Sequence, residues 1–365
     1  MKNLCQIRYA SLSFDIIGVS PLSGGGIIIL GYMKIQFAHK FNDIICVNNL
    51  FLAWQEFIVG KRSKKDVQEF SRHLIDNILS LHESLKNKAY RHGGYRSFYI
   101  NDPKRRHIHK AGVRDRLLHH AIYRLLYPFF ERIFIYDSYS CRLGKGTHKA
   151  IKRFDDMSLK ASQNNTKMAW VLKCDIRKFF DSIDHGVLQN ILSQYIPDED
   201  ILWLLGDVIG SYHNVRRKDA GLPLGNLTSQ LFANVYMNKF DQWIMHGLKA
   251  GKYIRYADDF VFFGADKQWL SSLVEPIKAF LQDELKLTIH PNKIILTKLF
   301  SGVDFLGWRH FPHYKNLRKK TRGRMFRRLA DRPENAVYQS YIGLLKYGNT
   351  YKIERDLRNL FWLLK

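Results

Sequence analysis

Hydrophobic residues recur at helical spacing through much of the first half of the chain. Between residues 48 and 88 they return every three or four positions, and Gly60-Lys61 separates two predicted helices. The stretch GGYRSFYINDPKRRHIH then predicts two strands around a turn at Asp102-Pro103. A strongly amphipathic helix begins near Val113 and is expected to end near Pro128, because proline cannot donate the next helical hydrogen bond.

Strand patterns interrupt helices in the second half. Residues 169–174, AWVLKC, are apolar and end at Asp175, which predicts a buried strand. Residues 252–264, KYIRYADDFVFFG, predict strand, tight turn and strand with Asp258-Asp259 at the tip. The remaining predicted elements are a helix at 201–211, a long amphipathic helix from Thr228 or Ser229, a helix at 269–287, a strand carrying Lys293, a short strand VDFLGWRHF and C-terminal helices. This mixture predicts an α+β fold.

Composition indicates what kind of molecule the protein binds. The chain has 365 residues, 46% of them hydrophobic and 14% aromatic, which excludes general disorder. Its formal charge of +25 is typical of a protein that binds a polyanion, and no apolar run has the length of a membrane span. The four cysteines form no CxxC pair, which argues against a structural zinc site and fits a reducing cytosol.

Two carboxylates at the tip of a buried hairpin are costly, because they repel each other and lose hydration. An isolated Asp-Asp pair is as often a solvated turn as a metal site. Asp175, at the end of another apolar strand, supplies a third carboxylate. Oxygen ligands of this kind favour Mg²⁺. Since neighbouring side chains on a strand point to opposite faces, Asp258 is predicted to bind the metal directly and Asp259 to support it.

Several other polar clusters are open to two interpretations. Lys104 and Arg106, on the predicted basic hairpin, either form a solvated face or grip a triphosphate. His119-His120 are interpreted as polar positions on a packed helix, since no second ligand pair lies at suitable spacing. The segment GKGT at 144–147 lacks the full phosphate-loop spacing, although a backbone contact to nucleic acid stays open.

The C-terminal region is strongly basic. Residues 315–332 hold nine Lys or Arg against one acid, and tyrosines such as Tyr338 and Tyr351 lie among the bases that follow. Basic charge with aromatic rings suits a nucleic-acid groove, through phosphate neutralisation and stacking. An ordinary solvated helix pair is the alternative.

The order of these motifs resembles that of reverse transcriptases. LKCDIRKFFDSIDH, GLPLGNLTSQ, YIRYADDF, HPNK and FLGW are similar to successive motifs of that family, and the similarity runs from about Asn48 to the C-terminus. The resemblance implies a right-hand polymerase that makes cDNA from a template RNA by two-metal chemistry. It implies fingers at 33–168, a palm at 169–310 and a helical thumb at 311–365. Residues 1–32 are expected to be a poorly ordered extension, with Met33 as a functional start.

The resemblance also implies roles for individual residues. Asp175, Asp258, Asp259 and Lys293 would be catalytic, Lys293 as the proton donor to pyrophosphate. The metal positions would be Asp175, Ile176, Asp258 and Asp259, for two Mg²⁺ ions with Mn²⁺ as an alternative. The positions that bind the deoxynucleotide would be Lys104, Arg106, Ile176, Phe179, Phe180, Leu224 and Gly225. Phe180 would block a ribose 2′ hydroxyl.

The subgroup is suggested by the turn before the long helix. Most relatives linked to group II introns and retrons carry Gln before Gly and close with Ser-Pro, whereas this chain has Leu224-Gly225 and Ser229-Gln230. The form resembles the enzymes of diversity-generating retroelements. That implies adenine-directed errors, a variable target gene, an accessory variability protein and a cytoplasmic location in a prokaryote or phage-infected cell. A retron or phage-defence enzyme and a non-catalytic RNA-binding protein are the alternatives.

Overall fold

Helices form most of the N-terminal part of the structure. The computed structural model describes residues 35–101 and 105–365. The first helices are α1 (Phe41–Ile45), α2 (Val47–Phe57), α3 (Lys65–Arg72) and α4 (Leu74–Lys86). The predicted break at Gly60-Lys61 is confirmed, but the second helical region is itself divided at His73. The prediction for residues 1–32 and Met33 lies outside the described residues.

A β-hairpin and a long helix follow. Strands β1 (Tyr95–Ile100) and β2 (Arg106–Ala111) pair antiparallel as predicted, while residues 102–104, including Lys104, lie outside the described residues. The prediction that the next helix ends near Pro128 is wrong, because α5 spans Val113–Ile133. Phe129 and Phe130, just past the proline, are buried. Burying two aromatic side chains, worth roughly 1.5–3 kcal/mol each, outweighs one lost hydrogen bond of about 1 kcal/mol.

The middle of the chain consists of helices and a single strand. Its elements are α6 (Thr147–Ala161), β3 (Trp170–Asp175), α7 (Phe179–Ser182), α8 (His185–Ser193), α9 (Glu199–Gly210) and α10 (Leu227–Gln242). Asp184 caps α8 by accepting a hydrogen bond from the Val187 amide at 3.0 Å. The prediction of an amphipathic α10 is wrong. This helix is buried on most sides because it packs against α5 and α8.

Four antiparallel strands form the sheet that carries the candidate site. The further elements here are β4 (Tyr253–Tyr256), β5 (Asp259–Gly264), α11 (Lys267–Ser272), α12 (Val274–Leu285) and β6 (Ile295–Lys298). The strand order is β4-β5-β3-β6. Leu172 and Phe262 pack into the larger hydrophobic core, whereas Val171 and Phe263 pack into a second core. Both faces of the sheet are therefore covered.

Two predictions near this sheet need correction. Lys293 does not lie on a strand: it ends a short 3₁₀ turn, Pro291–Lys293, directly before β6. The proline at the start of this turn lacks the amide hydrogen that a strand ladder needs. The helix predicted at 269–287 is divided into α11 and α12 at Leu273.

The C-terminal part has its own small sheet and helices. Its elements are β7 (Val303–Phe305), β8 (Trp308–His310), β9 (Lys315–Leu317), α13 (Lys319–Asp331), α14 (Asn335–Leu345) and α15 (Tyr351–Leu363). VDFLGWRHF was predicted as one strand, but it is a hairpin. Leu306 and Gly307 both have positive φ, 46° and 91°, as the two central residues of a tight hairpin turn often do. Trp308, fully buried, packs with Met325, Leu345 and Leu357 in a third core.

The architecture confirms the predicted α+β class, with antiparallel sheets and helices around them. None of the helices within the described residues has both the length and the apolar character needed to cross a membrane.

Candidate active site

The β4–β5 hairpin turns over two residues, Ala257 and Asp258. Tyr256 and Asp259 are the last paired residues, so the strand-turn-strand prediction is confirmed. Ala257 has φ +55°, a conformation that glycine adopts freely but that costs an alanine about 1–2 kcal/mol. A strained residue directly before a carboxylate shows that the surrounding structure holds this turn in place.

Asp175 and Asp259 lie directly opposite each other across the β3–β5 pair. The carbonyl of Asp258 accepts a hydrogen bond from the Ile176 amide at 3.2 Å, so the turn is tied to the end of β3. The predicted carboxylates are thus brought to one edge of the sheet. The three come from two segments that are more than 80 positions apart in the chain.

Lysines accompany two of these carboxylates. Lys293 Nζ lies 2.5 Å from Asp175 Oδ1, and Lys173 Nζ lies 3.2 Å from Asp259 Oδ1. The second contact has the distance of an ion pair but not the geometry of a hydrogen bond, and Asp259 Oδ1 is buried without a hydrogen-bond partner. The carboxylates are therefore only partly compensated by the chain itself.

Asp258 has no ion-pair partner among the described residues. Burial, with the nearby Asp175 charge, raises the pKa of Asp258 to about 6. A nearby cation would stabilise the charged form of Asp258, because it offsets both the loss of hydration and the repulsion from Asp175.

The donor set fits a divalent metal. Carboxylate oxygens are the ligands that Mg²⁺ prefers, and one of them is buried without a hydrogen bond. Within residues 35–101 and 105–365, no three His, Cys, Asp or Glu side chains by themselves form a group that could hold an ion.

Phe179 and Phe180 have different environments. Phe179 is buried and belongs to the large core, whereas Phe180 is half-buried with its ring centroid 5.4 Å from that of Phe179. Both rings line a small cavity that also includes Ala257 of the hairpin turn. Both therefore lie beside the turn, and Phe179 is the more deeply buried of the two.

The Leu224-Gly225 turn contacts the basic hairpin. The carbonyl of Leu224 accepts a hydrogen bond from the His109 amide at 2.9 Å, and the Asn226 side chain donates to the His109 carbonyl at 2.7 Å. A Cβ at Gly225 would lie 2.8 Å from Ile108, and the φ of +108° also favours glycine. The turn therefore packs against strand β2 and is hydrogen-bonded to it.

A cleft of about 1210 Å³ opens beside Asp175 and Asp259. Arg106 lines the same cleft, so the structure brings this predicted nucleotide-binding residue to the carboxylates. The other basic residues of the lining are Lys173, Lys293, Arg309, Arg318, Lys320 and Arg324. An excess of basic side chains around a carboxylate pair makes the cleft attractive to phosphates.

His119 and His120 belong to the helix packing, as predicted. His119 is buried, its Nε2 lies 3.1 Å from His92 Nε2, and burial holds the pKa of His119 well below its usual range. His120 packs edge-on against Phe57. Two neutral rings held by packing explain these residues without a metal.

Sequence reasoning missed Lys173, Arg255 and Thr147. Lys173 and Arg255 lie inside otherwise apolar strands, and a charge in such a run is a usable signal because it needs a partner. Thr147 had no local signal, since its hydroxyl meets the hydroxyl of Tyr256 across 109 positions of the chain.

The chain is similar to several known proteins. Residues 101–310 match the family described as reverse transcriptase (RNA-dependent DNA polymerase). Protein YkfC of Escherichia coli is 26% identical over 63% of this chain and 70% of its own length. The group II intron-encoded protein LtrA of Lactococcus lactis is 23% identical over 74% of this chain, which spans only 56% of LtrA. A telomerase structure from Candida albicans superposes with a TM-score of 0.48 at 11% identity, covering 76% of this chain and 57% of that one.

The family match covers more than half of the chain and includes β3, the Leu224 turn, the β4–β5 hairpin and Lys293. The right-hand polymerase fold and the enzyme class predicted from the sequence are thereby confirmed. The chain belongs to the reverse transcriptase family.

Proposed function

We propose that this chain is an RNA-directed DNA polymerase that makes cDNA by two-metal nucleotidyl transfer. The observation that carries the proposal is the convergence of Asp175, Asp258 and Asp259 at one sheet edge, where Asp175 and Asp259 line a cleft with basic walls. Template RNA, a primer or cDNA strand and deoxynucleotides are the substrates. The fingers, palm and thumb boundaries at residues 168 and 310 are part of this proposal.

Asp175 and Asp258, with the Ile176 position, would hold two Mg²⁺ ions, and Asp259 would support them. When bound, the metals would supply activation of the primer 3′ hydroxyl and neutralisation of the triphosphate. Two lysine ammonium groups lie near Asp175 and Asp259, which supports a cation-binding role for this edge.

Lys293 would donate a proton to the leaving pyrophosphate. Its ammonium group pairs with Asp175 and lines the cleft, so it lies where a triphosphate would enter. The Lys293 ammonium would contact the phosphate once Asp175 has another cationic partner. A lysine that is both cationic and close to the leaving group suits general-acid work.

The deoxynucleotide would be held by Arg106, Phe180, Leu224 and Gly225, with Lys104 as a further phosphate ligand. Arg106 provides a planar donor for phosphate oxygens. The half-buried ring of Phe180, beside the hairpin turn, would exclude a ribose 2′ hydroxyl, while Phe179 and Ile176 would shape the pocket from the core.

The finer role that we propose is error-prone copying at template adenines, for diversification of a target gene. Leu224 supplies shape but no hydrogen bond beside the incoming nucleotide, and losing a polar constraint weakens discrimination. An accessory variability protein would be the partner, and the cytoplasm of a prokaryotic cell the location.

Primer extension tests the proposed activity. Full-length protein is incubated with poly-rA, an oligo-dT primer, dTTP and Mg²⁺, and the product is compared with that of Asp258→Ala and Asp175→Ala. Extension by the unsubstituted protein that both variants lose supports the proposal, provided that all three bind the primer–template equally. Absence of extension with Mg²⁺ and with Mn²⁺ would overturn it, as would extension that survives both substitutions.

A further inference from the structure

An ion pair lies buried beneath the hairpin that carries Asp258. Arg255, on β4, is 1% exposed, and Asp241, at the end of α10, is fully buried. The guanidinium binds the carboxylate through two nitrogens, with Nε to Oδ1 at 2.7 Å and Nη2 to Oδ2 at 2.6 Å. Tyr253 donates its hydroxyl to the same carboxylate at 2.8 Å.

Stability alone does not explain such a pair. Removing two charges from water is expensive, and apolar residues of similar volume are often as stabilising or more so. A buried ion pair is best justified where it fixes one arrangement of the chain. The remaining contacts of Arg255 show which arrangement that is.

The third nitrogen of Arg255 bonds to the turn. Nη1 donates to the carbonyl of Ala257 at 3.2 Å, and it also lies 3.4 Å from the side-chain oxygen of Asn234. Ala257 is the residue with positive φ that directly precedes Asp258. The guanidinium therefore links the helix end at Asp241 to the strained peptide of the turn.

The main chain of Arg255 is fixed as well. Its amide donates to the Asp137 carbonyl at 2.9 Å, and its carbonyl accepts from the Tyr139 amide at 3.0 Å. Because the backbone is held from one side and the guanidinium from another, Arg255 has little freedom to move. A hydrogen bond from so rigid a donor can hold a backbone conformation that an alanine would otherwise leave.

We propose that Arg255, oriented by Asp241, is a positioning residue that holds the Ala257 turn and thereby sets the place of Asp258. The inference rests on the proposed function, in which Asp258 binds metal. Neither Arg255 nor Asp241 touches a substrate; they act through the turn. Residues that orient a metal ligand without touching the substrate affect metal affinity and activity more than substrate binding.

The test uses an apolar replacement of the whole network. In the full chain, Arg255→Met, Asp241→Leu and Tyr253→Phe are combined, so that no buried charge or hydroxyl is left without a partner. A second protein adds Ala257→Gly to these three, because glycine adopts the positive φ without help. Thermal unfolding, primer–template affinity, kcat and the Mg²⁺ concentration at half-maximal activity are measured for each.

We expect the triple variant to unfold near the wild-type temperature and to bind primer–template normally. Its kcat should fall, and its Mg²⁺ requirement rise, by about 10–100-fold, the usual effect of removing an outer partner of a metal ligand. Adding Ala257→Gly should restore most of the loss. A triple variant with wild-type kcat and Mg²⁺ requirement would overturn the proposal, as would a loss that Ala257→Gly does not reduce.

If the triple variant fails to fold, the single substitution Arg255→Lys tests the positioning role instead. Lysine keeps a charge beside Asp241, but a single ammonium cannot replace the fork that reaches both Asp241 and Ala257. Lower kcat with rescue by Ala257→Gly supports the proposal, and unchanged kcat overturns it.

A wild-type protein without polymerase activity would refute the proposed function but not this inference. Deuterium uptake at residues 256–260 then separates the cases: faster exchange in the triple variant supports the positioning role, and equal exchange refutes it.

Discussion

The hydroxyl groups of Thr147 and Tyr256 lie 3.0 Å apart and join the start of α6 to the tip of the β4–β5 hairpin. Thr147 ends the GKGT segment and lines the basic cleft. The structural role of this segment thus includes a contact with the hairpin. Tyr256, one residue before the strained turn, is held by this contact.

Removing either hydroxyl should weaken the fold through the same bond. We expect Thr147→Val and Tyr256→Phe each to lower the free energy of unfolding by about 1 kcal/mol, the net value of one hydrogen bond. The double variant should lose little more than either single one. Urea unfolding of the four proteins measures this coupling, and fully additive losses would show that the two hydroxyls do not interact.

Asp258→Asn should separate stability from activity. The substitution removes a half-buried charge that faces Asp175, so in metal-free buffer it should raise the free energy of unfolding by roughly 0.5–2 kcal/mol while abolishing primer extension. Mg²⁺ should stabilise the wild-type protein and not the variant. Thermal unfolding with and without Mg²⁺ provides the measurement. Equal Mg²⁺ stabilisation of both proteins would contradict the assignment.

Sugar selection should depend on Phe180 more than on its neighbour Phe179. We expect Phe180→Val to lower the preference for deoxynucleotides over ribonucleotides by at least about tenfold, because a hydroxyl then fits the pocket. Phe179→Leu is the matched comparison, since Phe179 is buried in the core: it should lower stability and change sugar selection much less than Phe180→Val does. Competition between dTTP and UTP in primer extension gives both ratios. If both variants shift the ratio equally, Phe180 is not a specific gate.

Fidelity should respond to Leu224. Leu224→Gln introduces a hydrogen-bonding side chain at the turn and should lower misincorporation opposite template adenine several-fold. Leu224→Met, similar in volume and without a hydrogen bond, should keep the original error spectrum. Sequencing of cDNA from a defined RNA measures both error spectra, and identical spectra for all three proteins would show that Leu224 does not set fidelity.

Acid should destabilise the fold through His120. Burial, with repulsion from Lys61, Arg116 and Arg124, lowers the pKa of His120 to about 4, whereas the unfolded chain has about 6.5. The unfolded state therefore takes up the proton first as pH falls. The contribution of neutral His120 is complete above about pH 6.5 and is lost progressively as the pH approaches 4.

Urea unfolding between pH 7.5 and 4.5 tests this loss of stability. The range extends about two pH units below 6.5. His120→Gln should reduce the slope of stability against pH. His246→Gln, at an exposed position, should leave the slope unchanged. Equal slopes in the wild type and His120→Gln would refute the role of His120.

The periodic pattern predicted most helices and strands, and its failures have local physical causes. α5 passes Pro128 because the phenylalanines that follow are buried by other elements, which the local sequence does not show. VDFLGWRHF forms a hairpin because Leu306 accepts a left-handed conformation beside Gly307, although a leucine there argues against a turn. In both cases packing overrides a local preference.

The sequence by itself determined the carboxylates and their order: Asp175 at the end of one apolar strand, and Asp258 at the tip of a hairpin. An unpaired charge in an apolar run destabilises the chain however it folds. These residue types therefore indicate a functional site by themselves. Only the tertiary structure decided what surrounds them. Lys293 meets Asp175 across 118 positions, and Arg255 reaches both Asp241 and the Ala257 turn. Such contacts depend on how β3, β6 and α10 pack together, and local periodicity carries no information about that packing.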